Sequence, residues 1–157
     1  MKNIFLSSIL VFAGLSLATS CKKDRNETEP TVPGTPTMKT MALSIDGTAI
    51  ETNYYSSQAT SGLIIVQSWP EPHLISLRIA DTVAAGQTFD MGPAMAANLS
   101  YSNDNYATSY STQSGTMTIA VYDTVARKLS GSYSCILFKD AGSPVKTVTN
   151  GQFNVSY

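Results

Sequence analysis

The sequence predicts an all-β protein, an antiparallel β-sandwich with a flattened β-barrel as the alternative. Two observations carry that expectation. Beyond residue 39 no apolar stripe repeats at helical spacing, whereas alternation with a period of two recurs in several short segments. Turn-forming Gly, Pro, Asn and Asp residues separate those segments at short intervals. The sandwich is preferred because nothing in the linear sequence enforces closure.

The first element is MALSIDGTAIET, in which Asp46-Gly47 forms a two-residue hairpin turn because its central positions require positive φ. Such a loop sets Ile45 opposite Thr48 and Leu43 opposite Ile50, collecting the apolar side chains on one face. The second is LIIVQSW and HLISLRIA, paired around Pro70-Glu71-Pro72. With those three residues as the loop, Trp69 faces His73, Ile65 faces Leu77 and Leu63 faces Ile79. Gln67 opposite Ile75 is the one discordant pair, and Ile64, Val66 and Leu74 fall on the other face.

The third pair is GTMTIAVYD with KLSGSYSCILF. Pairing Val121 with Leu129 puts Ile119 against Gly131 and Met117 against Tyr133. Cys135 then shares a side with Leu129, Tyr133 and Leu137, which makes it a buried small hydrophobe and not a nucleophile. The last run, VKTVTNGQFNVSY, has Val148 on one parity and Phe153, Val155 and Tyr157 on the other. A bulge at Asn150-Gly151 returns all four to one face.

These motifs carry a resemblance. SIDGTAIET, AAGQTFDMG and the stretch SGTMTIAVYDTVARKLSGSYSCILFKDAGSPVKTVTNGQFNVSY occur in the order found in a family of Bacteroidota lipoproteins classed as a domain of unknown function. Tyr133 and Cys135 stand where that family usually has Phe, which implies altered core packing and the same fold. The resemblance implies a β fold and an envelope location, and it brings no mechanism.

The amino-terminal segment is consistent with that location. Lys2 precedes a run, Ile4 to Ala18, that is apolar apart from three serines, the length and flank of a signal peptide. A confident membrane-spanning helix needs about 20 apolar residues. Ala18, Thr19 and Ser20 lead into Cys21, a pattern that resembles the lipobox of bacterial lipoproteins, with Leu17 one place further out than is commonest. The expectation is a signal peptide over 1–20, cleavage before Cys21 and acylation of its thiol and new amino group. One acyl chain holds a protein only reversibly, at about 0.8 kcal/mol per buried methylene, so several chains make a lasting anchor. Residues 22 to 39, rich in Pro and poor in large apolar residues, read as an extended tether reaching up to roughly 50 Å. Residues 40–157 then form one domain, long enough for a single core.

Charge narrows the partners. The chain holds 10 Lys and Arg against 11 Asp and Glu, and loss of Lys2 with the signal peptide leaves 9 against 11, or −2. Nucleic-acid recognition needs a basic patch that this balance does not supply. Lys22-Lys23-Asp24 departs from the acidic cluster associated with surface export, so the expected address is the outer membrane, facing periplasm or cell surface.

Catalytic signatures are missing. His73 is the only histidine and lacks the neighbours for a zinc site or a Ser–His–Asp arrangement, so it is expected to cap the Trp69 ring. Acidic residues of the domain are scattered singly, and no cofactor or metal is expected. The unusual segment is ANLSYSNDNYATSYSTQSG, where Tyr101, Tyr106 and Tyr110 lie among Ser, Thr and Asn. Tyrosine among small polar residues is the mix of antibody contact loops, so these three are the candidate contacts for a glycan or protein. The tetrapeptide DTVA occurs at 81 to 84 and at 123 to 126. Asp at a turn explains it locally. Its Asp-Thr-Val is also similar to the O-glycosylation sequon of Bacteroidota, which implies sugars on Thr82 and Thr124. The function expected from all this is a lipid-anchored, non-catalytic binding module. The alternatives are a passive envelope component or a subunit of a larger complex, with a hydrolase ranked last.

Overall fold

The computed structural model describes residues 40–103, 107–139 and 145–157. The expected signal peptide, Cys21 and the tether lie outside the described residues, as does Tyr106. Ten strands and no helix are found among the described residues. They are β1 (Met41–Ile45), β2 (Thr48–Thr52), β3 (Ser56–Thr60), β4 (Leu63–Ser68) and β5 (Leu74–Ala80). There follow β6 (Thr88–Met91), β7 (Ala97–Asn103), β8 (Thr108–Asp123), β9 (Lys128–Phe138) and β10 (Lys146–Ser156). All lie in one sheet in the order β2-β1-β10-β9-β8-β6-β7-β5-β4-β3, with β8 also paired to β7. The described pairings are antiparallel except β6 with β7.

The all-β class is as expected, and the sheet curls on itself into a half-barrel, nearer to the flattened barrel than to two stacked layers. A short link explains the curl. The two edge strands, β2 and β3, follow one another in sequence with only residues 53–55 between them. Four Cα steps from Thr52 to Ser56 span at most about 14 Å, so the edges must approach at that point. The tail of β10 is tied across the gap. The Ser156 amide donates to the Tyr55 hydroxyl at 3.0 Å, and the Ser57 hydroxyl donates to the Ser156 carbonyl.

One face of the curled sheet is the core. Met41, Ile64, Ile75, Leu77, Ile79, Leu99, Met117, Ile119, Leu129, Leu137 and Phe153 are fully buried in it. Each such side chain contributes about 1.5–3 kcal/mol relative to an exposed one. Asp46 and Gly47 have φ of 50° and 85°, and Ile45↔Thr48 and Leu43↔Ile50 pair as the turn chemistry requires. The bulge between Val148 and Gly151, with Asn150 at φ 53°, buries Val148, Phe153 and Val155 together. A second bulge between Ile119 and Val121 shifts the end of β8, so Leu129 faces Tyr122 and Val121 turns outward.

The β4–β5 register differs from expectation by one residue. Ile64 pairs with Ile79, Val66 with Leu77 and Gln67 with Ser76. The turn from Pro70 to His73, closed by the His73 amide on the Pro70 carbonyl at 2.8 Å, does not place Trp69 against His73. A slip of one residue exchanges the two faces of a strand. Ile64 and Val66 therefore enter the core and Gln67 leaves it, which removes the discordant Gln67–Ile75 pair.

Candidate functional site

With the true register, the outer face of the sheet becomes readable. Ser56, Gln67, Ser76, Ser100 and Ser111 stand side by side across β3, β4, β5, β7 and β8. On the opposite side of the curl, Thr88, Thr118, Ser132 and Gln152 form a similar row across β6, β8, β9 and β10. The Thr88 and Thr118 hydroxyls share a hydrogen bond of 2.8 Å. Strands lie about 4.8 Å apart and like-facing residues about 6.7 Å apart along a strand, so these rows are regular arrays of donors and acceptors. Only 13% of the chain is charged, about half the usual share. A cleft of about 350 Å³ adjoins the first row, lined by Leu63, Arg78, Pro93, Met95, Asn98 and Ser100 among others. A shallower depression of about 430 Å³ lies over β8–β10, where Thr116, Ser134, Thr147 and Thr149 meet.

Of the tyrosines expected to form a contact surface, Tyr101 and Tyr110 are cross-strand partners and share the core-facing side, opposite the Ser100–Ser111 row. Tyr101 is 4% exposed, and its hydroxyl lies 2.9 Å from His73 Nδ1. The two rings stack with centroids 5.7 Å apart. His73 thus packs on Tyr101 and not on Trp69, which corrects its expected partner. Tyr110, opposite Tyr101 across the ladder, is half-buried, with its ring 6.1 Å from that of Tyr101. Lys146 Nζ sits 5.3 Å from the Tyr110 ring centre, and it also bonds Asp46 at 3.1 Å. The Asp46 carboxyl is held below its usual value chiefly by the Thr147 amide, opposed by burial, with smaller lowering effects from the hydrogen bond and charge of Lys146. Tyr101 is therefore a core residue, and Tyr110 packs beside it on the same side of the sheet, half-buried at the margin of the core.

Other singled-out residues are placed as follows. Cys135 is a buried free thiol pushed up to about 12 by burial, which leaves it almost wholly protonated at neutral pH. Thr82 and Thr124 are both exposed in turns. Asp123 Oδ1 accepts the amides of Val125 and Ala126 at 2.9 and 2.7 Å, so the second DTVA is an Asx turn. Among the described residues no three His, Cys, Asp or Glu side chains gather as a metal site would require. The outer polar row escaped sequence reading because the slipped register turned Gln67 inward; its discordance with Ile75 was the available signal.

Residues 27–155 match the family described as Domain of unknown function (DUF6252). No curated protein and no solved structure matches the chain. The match spans most of the sequence, including β1 to β9 and all of β10 but Ser156. The chain belongs to the family Domain of unknown function (DUF6252).

Proposed function

We propose that this protein is a lipid-anchored component of the cell envelope, held in the outer membrane through Cys21, whose half-barrel is a non-catalytic binding module for a glycan. The observation that supports this is the outer face, dense in Ser, Thr and Gln and poor in charge. Such a face offers many neutral hydrogen bonds and no field to attract an ion, which suits a partner built of hydroxyls. Tyr110 is retained as an aromatic contact at the margin of the core-facing side, where it packs on Tyr101, and not as part of the outer row. Tyr106, which lies outside the described residues, is retained as a candidate contact. Thr82 and Thr124, exposed in their turns, are positions for O-linked sugar.

Two experiments test the reading. Labelled palmitate should enter the wild-type chain and fail to enter Cys21→Ser, and the mature mass should exceed lipid alone by the sugars on Thr82 and Thr124. The mature protein should retain at least one neutral oligosaccharide on a glycan array; retention of none removes the glycan reading. A second reading is a protein partner within a larger complex. It is favoured by Leu63 and Met95, both exposed and lining one cleft, and stable co-purification from native membranes would support it.

A further inference from the structure

Tyr54 is 71% exposed, yet its backbone is firmly held. Its amide donates to Thr52 Oγ1 at 3.0 Å, and its carbonyl accepts the Ser68 hydroxyl at 2.6 Å and the Thr52 hydroxyl at 3.1 Å. Tyr54 and Trp69 occupy the cross-strand position that continues the Ser56↔Gln67 register two residues beyond the end of the ladder, on the same face. Their ring centres are 6.2 Å apart and the planes are inclined at 57°, so the two rings form an open notch. Keeping a large ring in water on a fixed backbone forgoes the free energy that its burial would release.

The next row inward is Ser56, Gln67 and Ser76. Ser76 is only 8% exposed, and its hydroxyl has no hydrogen-bond partner. A buried hydroxyl left unbonded is costly, and such a group in a native fold calls for an explanation. Glu71, in the turn that follows Trp69, and Arg78, two residues beyond Ser76 on β5, are both exposed and opposite in charge, so neither sign of ligand is favoured overall.

We infer that the Tyr54–Trp69 notch and the adjoining Gln67–Ser76 row form a binding site for a pyranose unit of a neutral glycan. This rests on the binding-module reading above and gives it a place. The C–H face of the sugar lies against the negative faces of the two rings. Its hydroxyl edge meets the Gln67 amide, and rotation of that amide opens the Ser76 oxygen to the ligand.

Trp69 is the only tryptophan, so its fluorescence reports on this site alone. The mature protein, purified in detergent, is titrated with neutral hexasaccharides of glucose, mannose and xylose. An anionic oligogalacturonate and a proline-rich peptide serve as competing ligand classes, and calorimetry is run in parallel. The expected result is a saturable change in emission with at least one neutral sugar. Tyr54→Ala should weaken that binding at least ten-fold without lowering the melting temperature, because the ring is exposed. Ser76→Ala should weaken it several-fold while leaving stability equal or higher, an outcome that a structural role would not give. Calorimetric binding of a neutral sugar with silent Trp69 emission, or unaltered affinity in Tyr54→Ala, overturns this site and leaves the glycan reading standing. A Trp69 response to the anionic sugar alone or to the peptide alone overturns the ligand class. Absence of any calorimetric signal with neutral sugars overturns both.

Discussion

The ring of Tyr133 lies flat against Gly151, its partner across the β9–β10 ladder, so closely that a Cβ on Gly151 would stand 2.5 Å from the ring. The relation is reciprocal two residues away, where Phe153 covers Gly131. Each glycine leaves room for an aromatic side chain in the narrow interior of the curl. Gly151→Ala should therefore destabilise the domain by about 2–3 kcal/mol through overpacking. A fall in melting temperature of roughly 10 °C is the expected reading.

Thr112 carries the junction where β8 leaves β7 for β6. Its hydroxyl accepts the Leu99 amide at 2.8 Å and donates to the Leu99 carbonyl at 3.0 Å, replacing a missing rung of the ladder. Thr112→Val preserves shape and leaves both Leu99 groups buried without partners. Denaturant unfolding should show a loss of about 1–3 kcal/mol with an unchanged slope. Thr112→Ser, which keeps the hydroxyl, should lose less.

Closure of the half-barrel depends on Tyr55, whose hydroxyl accepts the Ser156 amide. Tyr55→Phe removes that acceptor and should cost about 1 kcal/mol. The effect should be local: amide exchange at residues 154–157 should quicken, while the centre of β9 keeps its protection.

Acid should act on the Asp46–Lys146 pair. The folded Asp46 carboxyl titrates below its usual 3.8, chiefly because of the Thr147 amide. Its contribution is therefore complete above 3.8 and fades as pH falls through the lower, folded value. Asp46 is exposed and Lys146 partly so, so the pair contributes less than about 1 kcal/mol. Asp46→Asn tolerates the same left-handed backbone. It should be slightly less stable than wild type at about pH 6, and the difference should shrink as pH falls below 3.8 and through the folded value, as measured by denaturant titration.

Local rules settled a good part of this fold. The Asp46-Gly47 turn and its register, the Asn150-Gly151 bulge and the inward side of Cys135 each follow from turn chemistry or a two-residue period within a dozen positions. The β4–β5 pair shows where that logic fails. Both faces of LIIVQS carry apolar residues, so alternation could not choose between two registers one residue apart, and the Pro70–His73 turn chose. The polar row beside Gln67 was hidden with it.

What the linear chain determined by itself was the all-β class, the pairings β1–β2, β4–β5 and β8–β9 and the charge-poor composition. What tertiary structure decided was which distant strands meet: β1 beside β10, Tyr55 against Ser156, His73 on Tyr101, Tyr54 beside Trp69. The physical reason is range. A turn or a period of two is written in neighbouring residues, whereas the curl depends on edges brought together from opposite sides of a ten-stranded sheet.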